Sequence, residues 1–455
     1  MIRKKEKRIG SGMQPTQIVA CWFLGMILVG ALLLKLPMAA RSGHSVPLLT
    51  ALFTATSASC VTGLSLVNTA DCWTPFGQAV ILCMVQVGGL GFMTMATFFS
   101  LLFHRTITLR ERMLMSTALS LSAPSGVVRL TKKILLGTFC LEGTGVVILT
   151  IRFWLRHYSF GESLWRGVFL AVSAFCNAGF DLTPSASGFS SIMPYQNDWI
   201  ICGTLMVLII VGGLGFFVWS DLWTGKKHRL SMHTKMVLAA TVVLTVMGTI
   251  LIDLFEGKNP ATLGGMSGSH KLLAALFQSV TCRTAGFAGI DQGSLTGAGQ
   301  GISMFLMFIG GSPGSTAGGL KTVTAIVLLM VAVSVCRGSD TVTLGKRSIS
   351  QRSVMNAVTM CMLFMVMIFA GTFCIAALEG FRFAFGALLY ETISAVATVG
   401  LSTGITGALS SASQIVLVIL MYLGRVGILT FGLALMRGER KSYPLQYAEE
   451  DVFIG

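Results

Sequence analysis

The sequence predicts an all-α membrane protein built from four pseudo-symmetric units, each with a long helix, a short re-entrant helix and a second long helix. Three observations predict this fold class. The 455-residue chain is 53% hydrophobic and 11% charged, whereas soluble domains carry about 25% charged residues. Eight apolar stretches reach the roughly 20 residues that a membrane-spanning helix needs. A turn containing glycine recurs four times between these stretches.

The eight predicted spans alternate with four shorter apolar segments. Runs of about 10 to 14 apolar residues are too short to cross a bilayer and are typical of re-entrant or buried helices. The predicted spans are 17–36, 75–103, 134–155, 197–222, 234–254, 302–335, 353–378 and 412–436. The predicted re-entrant helices are 47–58, 163–175, 271–281 and 383–396. We therefore divide the chain into repeats at 1–115, 116–230, 231–350 and 351–455, the last with a cytoplasmic tail.

The basic residues predict the orientation of the chain in the membrane. The formal net charge is +15, and Lys and Arg accumulate on cytoplasmic loops. They cluster in the amino terminus, the loops 104–133, 223–235 and 336–352, and the carboxyl tail. Both termini should therefore be cytoplasmic, and every short segment should enter from outside. Nucleic-acid binding is not expected, because no folded domain offers a basic face.

The cysteines and histidines exclude several other classes. The eleven cysteines lie mostly within apolar runs without a CxxC pair, and the six histidines are scattered. A disulfide framework, a histidine metal site and a catalytic cluster are therefore not expected. We expect a protein that is not an enzyme and carries no covalent cofactor.

Each short segment ends in a turn of small residues that contains glycine, and the turns recur at intervals of a little more than a hundred residues. Non-helical backbone at membrane depth is tolerated only where it is buried in protein or lines a water-filled path. Glycine lets such a turn point its carbonyls inward, and rings of carbonyls can replace the hydration shell of a cation. Close helix packing is the alternative explanation for one such glycine, but four in register favour an ion path. The candidate ion-binding residues are Cys60, Val61, Thr62 and Gly63; Cys176, Asn177, Ala178 and Gly179; Arg283, Thr284, Ala285 and Gly286; and Ala397, Thr398, Val399 and Gly400.

A second glycine motif follows each turn at a similar distance. A glycine turn followed by a second glycine motif, found in four copies, indicates a fourfold internal repeat. The motifs are Gly88-Gly89-Leu90-Gly91, Gly212-Gly213-Leu214-Gly215, Gly310-Gly311-Ser312-Pro313-Gly314 and Gly424-Arg425-Val426-Gly427.

At these residues the chain resembles the KtrB family, the ion-translocating subunits of bacterial Ktr potassium uptake systems in the Trk/Ktr/HKT superfamily. The resemblance covers nearly the whole chain. It rests on FTATSASCVTGLSLVNT (53–69), SAFCNAGF (173–180), TCRTAGF (281–287), ISAVATVGL (393–401), the VGGLGFMT run and the carboxyl-terminal EDVFIG. A departure is Cys60, where the family often has threonine, so the side-chain role of what we take as the outermost filter ligand is open.

The resemblance implies four units of M1, pore helix and M2 around one path, with K+ held by the carbonyls of a four-glycine selectivity filter. It also implies a homodimer in the bacterial cytoplasmic membrane that rests on a cytoplasmic ring of the KtrA type. Nucleotide would then be bound by that partner and not by this chain. Whether transport is channel-like or depends on Na+ stays open.

The sixth predicted span is long enough to require a break. Its 34 residues would form a helix of about 51 Å, against a hydrocarbon core of about 30 Å. A proline and five glycines weaken helix formation in its middle. We expect a loop below the filter, which the resemblance implies is a gate, whereas a simple kink is the alternative. The gate residues are Gly310, Gly311, Ser312, Pro313, Gly314, Ser315, Thr316, Ala317, Gly318, Gly319, Lys321 and Arg425.

Charged residues at membrane depth are costly unless they are paired or beside water. Lys321 and Arg425 should face the path below the filter, where a positive charge either lowers cation occupancy or holds the loop shut through its carbonyls. The alternative is a structural pair with a carboxylate such as Glu391. Arg283 should brace the filter from behind, because a cation facing the ion would repel it. The partner of Glu142 is not predicted.

Two further hypotheses stay open at this point. Cys60 and Cys176 occupy the same place in two copies, so a thiol reachable from outside is expected if the turn lies at the outer mouth; packing behind the filter is the alternative. An ion-coupled solute transporter with discontinuous helices is the rival function. Parallel entry of all four short segments argues against it, since inverted repeats would alternate.

Overall fold

The computed structural model describes residues 15–91, 127–184, 191–223, 230–339, 341–344 and 347–427. Within these residues helices joined by turns and loops make up the fold, together with one short antiparallel hairpin, in which β1 (Thr343–Leu344) pairs with β2 (Arg347–Ser348). The repeat boundary at 115/116 and the final EDVFIG lie outside the described residues.

Each copy has a first helix, M1, that is long and apolar enough to cross a membrane. Side chains on the outer face, such as Leu32 in copy 1 and Val242 in copy 3, leave more than half of their surface exposed, as expected where apolar lipid replaces water. The M1 helices are Pro15–Lys35, Val127–Trp154, Met232–Glu256 and Gln351–Glu379.

The four short helices, called P below, confirm the predicted short segments to within about three residues. They are surrounded by protein, and several of their aromatic side chains, including Phe53, Phe169 and Tyr390, have no exposed surface. The P helices are Leu48–Cys60, Phe160–Cys176, Gly268–Thr281 and Phe385–Val396.

The second helix of each copy, M2, begins at a residue whose side-chain oxygen accepts a hydrogen bond from a backbone N–H of the first turn. Such a cap stabilises a helix by about 1 kcal/mol. It defines where the chain re-enters the helical bundle after each turn. The capping residues are Thr74, Asp198, Thr296 and Ser410, and the M2 helices are Pro75–Leu90, Trp199–Leu214, Gly297–Phe308 and Ser411–Val426.

The M2 helices are shorter than the predicted spans. The break in copy 3 is confirmed: residues 309–321 separate Gly297–Phe308 from a further helix, Thr322–Cys336. The prediction of one continuous span at 197–222 is wrong, because M2 of copy 2 bends by 92° into the helix Phe216–Trp223. Gly215 makes this bend with a φ of 91°, a backbone conformation that favours glycine. In copies 1 and 4 the rest of the predicted span lies outside the described residues.

The four copies pack in a closed cycle. Each P helix packs against M1 of its own copy and against M2 of the preceding copy, and P of copy 1 packs against M2 of copy 4. P also packs against M2 of its own copy in copies 1, 2 and 4. This cycle brings the carboxyl ends of the four P helices, and therefore the four glycine turns, to the centre of the molecule.

Candidate functional site

The four glycine turns form a closed ring at the centre of the molecule. A Cβ atom built on each ring glycine would lie within 2.9 Å of a carbonyl oxygen in the next copy, always that of the residue just before the next glycine. Only glycine fits such an approach without displacing the neighbouring backbone. Going round the ring, the pairs are Gly63 with Ala178, Gly179 with Ala285, Gly286 with Val399, and Gly400 with Thr62.

All four turns share one pattern of backbone φ angles. The glycine and the residue two places before it both have positive φ. At the earlier position three copies have a β-branched residue, for which a positive φ is strained by roughly 1–3 kcal/mol. Such strain persists only where the surroundings impose the conformation. The φ values are 57° and 93° (Val61, Gly63), 59° and 69° (Asn177, Gly179), 76° and 79° (Thr284, Gly286), and 50° and 99° (Thr398, Gly400).

The second glycine motif explains how M2 approaches the ring. In copies 1, 2 and 4 its first glycine packs against the carbonyl oxygen of the residue four places before the ring glycine, so that a Cβ atom would collide with it. These contacts are Gly88 with Ser59, Gly212 with Phe175, and Gly424 with Val396. In copy 3 the corresponding Gly310 packs instead against Gly318 and Gly319 of the loop 309–321.

A serine supports the ring in two copies. The hydroxyls of Ser57 and Ser394 each accept the N–H of the ring glycine six residues later at 3.0 Å. Ser173 holds the same position in copy 2, but its buried hydroxyl has no hydrogen-bond partner. In copy 3 the position is Val280, and Gly286 donates to the carbonyl of Thr281 at 3.4 Å.

One face of the ring opens into a cavity of about 130 Å³, which we call the cavity side. All four ring glycines line it, together with the carboxylates Asp181 and Asp291 and the amide of Gln292. Carboxylates at the mouth of a narrow path raise the local concentration of cations.

The opposite face, the loop side, is covered by the loop 309–321. A Cβ atom on Gly318 would lie 2.6 Å from the carbonyl oxygen of Ala397, directly beneath the turn of copy 4. The Thr316 hydroxyl donates to the Phe175 carbonyl at 3.0 Å and accepts from the Asn177 side chain at 2.8 Å. The loop is therefore attached to the turns of two different copies.

Lys321 and Arg425 both lie on the loop side and bind carbonyl oxygens. Lys321 donates to Ala317 at 2.7 Å, within the loop. Arg425, from M2 of copy 4, donates to Thr316 at 2.7 Å and also to Gly88 and Gly89 at the end of M2 in copy 1. The alternative pairing with Glu391 is wrong, because that carboxylate accepts hydrogen bonds from hydroxyl groups of residues 402–406 instead.

Glu391 binds the segment that follows the ring in copy 4. Its two oxygens accept four hydrogen bonds, from the hydroxyls of Ser402, Thr403 and Thr406 and from the Thr403 N–H, at 2.7–3.2 Å. Glu142 contrasts with it, since it accepts one hydrogen bond, from Gln86 at 3.1 Å, and its other oxygen is buried without a partner.

Arg283 points away from the ring, as expected. Its guanidinium donates to the carbonyl and hydroxyl of Thr241 and to the hydroxyl of Thr245, all on M1 of copy 3, at 3.3–3.4 Å. The positive charge is thereby kept behind the turn.

The cysteines lie on the loop side, which corrects the expectation that Cys60 is outermost. A P helix ends deep in the protein and the turn then runs back toward the cavity, so the residue three places before the glycine is the deepest. Cys60 and Cys176 have no exposed surface. Cys176 also donates to Gln86 at 3.5 Å. The hypothesis of a thiol at the outer mouth is therefore wrong, and the packing alternative fits.

Comparison with known sequences decides the family. The family described as TrkH, a cation transport protein, matches residues 12–439. The chain belongs to the TrkH family.

Two relatives of this TrkH-family chain match it over nearly their full length. It is 37% identical to the potassium/sodium uptake protein NtpJ of Enterococcus hirae, over 99% of each chain. It is 36% identical to the Ktr system potassium uptake protein B of Bacillus subtilis, over 97% of each chain. The family and these relatives are ion transporters, so this multi-pass membrane protein is a transporter and not an enzyme.

The TrkH-type fold is also found in a solved structure. The potassium transporter TrkH from Vibrio parahaemolyticus superposes with a TM-score of 0.75 at 17% identity, covering 95% of this chain and 87% of the other. The all-α fold of four repeats agrees with that likeness.

Sequence reasoning missed the polar side chains that support the ring. Gln86 and Gln278 lie within apolar helices, where an uncharged amide is also costly unless it is hydrogen-bonded. The same cost that singles out intramembrane charges therefore also marks these two amides as side chains that need hydrogen-bond partners.

Proposed function

We propose that this protein takes up K+ across the bacterial cytoplasmic membrane through the ring, with both termini in the cytoplasm. The observation that carries the proposal is the closed ring of four left-handed glycine turns. The names of the two relatives, which are potassium and potassium/sodium uptake proteins, support the choice of ion.

The ring has the chemistry to bind a dehydrated cation. Residues with positive φ at every second position turn successive carbonyls toward one side, and rings of carbonyls replace the hydration shell of an ion. The carboxyl ends of four helices carry partial negative charge and converge on the same point. In this proposal residues 60–63, 176–179, 283–286 and 397–400 form the selectivity filter.

The loop 309–321 serves as the gate in this proposal. It covers the ring on the loop side, and Lys321 and Arg425 hold it in place by donating hydrogen bonds to its carbonyls. Two positive charges on that side also disfavour cations there. An open state therefore requires the loop to leave Arg425.

Control by other subunits completes the proposal. We infer a homodimer that rests on a cytoplasmic nucleotide-binding ring of the KtrA type. The name of a relative, protein B of a Ktr system, supports the participation of further subunits. The nucleotide is bound by that partner. The rival function, an ion-coupled solute transporter, is less well supported, because the four copies follow each other in one cyclic order rather than as inverted pairs.

The decisive experiment measures K+ uptake in bacteria that lack their own potassium systems. The chain should restore growth at low K+, and Gly63→Ser should raise the apparent KM for K+ and weaken discrimination against Na+. Gly43→Ser is the matched control, since Gly43 also has a positive φ, 70°, but a Cβ atom there meets no neighbour. Unchanged selectivity in serine variants of all four ring glycines would refute the filter.

A further inference from the structure

Copy 3 holds its turn without the supports found in the other copies. Its M2 is opened into the loop, so no M2 glycine packs against the end of its P helix. The serine that accepts the glycine N–H is replaced by Val280, and the hydrogen bond of Gly286 is long, at 3.4 Å. One hydrogen bond closes this turn locally, from the Thr281 hydroxyl to the Phe287 carbonyl at 2.8 Å. Further support comes from side chains farther from the ring.

A buried pair of amides provides this further support. Gln278 and Gln292 exchange two hydrogen bonds, at 2.6 and 3.1 Å. Gln278 lies on the P helix eight residues before Gly286, and Gln292 lies six residues after it. The pair therefore joins the two ends of the copy 3 turn.

The pair is tied to copy 4 by a tyrosine. Tyr390, on the P helix of copy 4, donates its hydroxyl to Gln292 at 2.9 Å. Gln292 also donates to the carbonyl of Ile290 at 2.7 Å. A glutamine amide has two N–H donors and two acceptor lone pairs, so every hydrogen-bonding position of Gln292 is used. The exposed fractions of Gln278, Gln292 and Tyr390 are 1%, 2% and 0%.

The network is specific to copies 3 and 4. Ten residues before the ring glycine, the other copies have Phe53, Phe169 and Leu276, none of which carries a hydroxyl. Eight residues before it, copies 1 and 2 have Ala55 and Ala171 in place of Gln278. A buried network with all of its hydrogen bonds made rigidifies its surroundings. This network lies in copy 3, where the loop 309–321 interrupts the second long helix.

We propose that Gln278, Gln292 and Tyr390 are positioning residues that hold the copy 3 turn from the cavity side, so that ion selectivity does not depend on the position of the loop. The proposal rests on the filter function of the ring. Gln292 also lines the cavity, so the network acts at the face where an ion meets the four glycines.

The test is Na+ competition against K+ uptake in Tyr390→Phe, which removes one hydroxyl and keeps the ring. Loss of one buried hydrogen bond corresponds to about a threefold to tenfold fall in K+ over Na+ selectivity. Vmax and the amount of protein in the membrane should stay at the parental level. Gln292→Met, which removes the amide at similar volume, should lower the ratio similarly, and the double variant should be no worse than Gln292→Met.

Tyr158→Phe is the matched control. It also removes a tyrosine hydroxyl from a hydrogen bond, here with Tyr195 at 3.1 Å, but at the opposite end of a P helix about 25 Å long. Its selectivity should be parental.

Two results would overturn the proposal: parental selectivity in both Tyr390→Phe and Gln292→Met, or a lower protein amount without a change in the ratio. Gly286→Ser separates this failure from failure of the filter itself. If Gly286→Ser lowers selectivity and the network variants do not, only the positioning role is refuted. If Gly286→Ser leaves selectivity unchanged, the filter function fails as well.

Discussion

The two halves of the ring hold the same backbone turn by different means. In copies 3 and 4 it is bound by buried polar groups, Glu391 with four hydrogen bonds and the amide pair with its tyrosine. In copies 1 and 2 the P-helix positions ten and eight residues before the glycine are phenylalanine and alanine. The end of the P helix rests there on an M2 glycine, as it also does in copy 4. Fourfold symmetry is therefore a property of the backbone and not of the side chains that support it.

The difference follows from which part of the chain lies behind each turn. Copies 1, 2 and 4 keep an M2 helix directly behind the turn, and a glycine of that helix packs against the end of the P helix. Copy 3 has a loop in place of that helix, and hydrogen bonds from the cavity side replace the missing support. The predictions below test this contrast, beginning with the largest expected effect.

The largest effect is expected where the loop of copy 3 is tied to the other half. Arg425→Ala removes the donor that joins Thr316 to the M2 end of copy 1. Efflux of K+ from proteoliposomes without any partner protein should rise about tenfold or more, since hydrogen bonds to a charged group contribute about 1.5–3 kcal/mol each. Arg425→Lys keeps the charge but cannot bridge the same carbonyls, so its efflux rate should lie between those of the parent and Arg425→Ala. Efflux at or below the parental rate in both variants would contradict the gate.

A shorter loop should act in the same direction for a different reason. Deleting Ser315 and its neighbour Gly314 leaves the segment unable to reach beneath the turn of copy 4, so flux should again increase. An unchanged flux with this deletion would mean that the loop does not obstruct the path.

The second prediction compares the two intramembrane glutamates. Glu391→Gln should lower stability by about 3 kcal/mol, because four hydrogen bonds converge on its two oxygens. Glu142→Gln should be within about 1 kcal/mol of the parent, because a neutral amide is less costly to bury than a carboxylate with a single donor. Thermal unfolding in detergent measures both. Equal losses of stability in Glu391→Gln and Glu142→Gln would contradict the proposed difference between copy 4 and copy 2.

The third prediction concerns the serine that precedes each ring glycine by six residues. Ser57→Ala and Ser394→Ala should each lower K+ over Na+ selectivity about threefold, since one buried hydrogen bond is lost. Ser173→Ala is the internal control, because that hydroxyl has no partner. A comparable loss in Ser173→Ala would show that the effect comes from side-chain volume.

The smallest effect is expected at the cysteines. Both Cys60 and Cys176 are fully buried on the loop side, so external silver ions or a cationic thiol reagent should not block uptake through these two thiols. Cys60→Thr/Cys176→Ser should behave like the parent toward these reagents. Rapid block of the parent that K+ slows and that the double variant lacks would place the thiols in the path after all.

Much of the fold was predictable, because hydropathy and glycine spacing report local properties of the chain. They gave the P helices, the four turns and the break in copy 3. The bend at Gly215 was missed, since one glycine costs a helix only about 1 kcal/mol and the helix on either side is strongly apolar. The depth of Cys60 was missed because hydropathy does not show in which direction a turn runs.

The side chains behind the ring were beyond sequence reasoning for a different reason. Gln292 and Tyr390 are 98 residues apart, and their pairing depends on how copies 3 and 4 pack. Periodicity within one helix contains no information about such a contact. An intramembrane amide could have been recognised as needing a partner, but the partner's identity requires the fold.

The closed cycle of packing also constrains the order in which the protein can be made. P of copy 1 packs on M2 of copy 4, and the Tyr422 hydroxyl donates to the carbonyl of Ala20 across 402 residues of chain. Membrane proteins emerge from the ribosome amino terminus first, and units generally fold as they appear. The face of the first P helix that packs on M2 of copy 4 must therefore stay uncovered until nearly the entire chain has been synthesised. A nascent chain stopped before residue 411 lacks the helix that completes its first copy, so truncated products should be recognised as unfolded and not released as leaky pores.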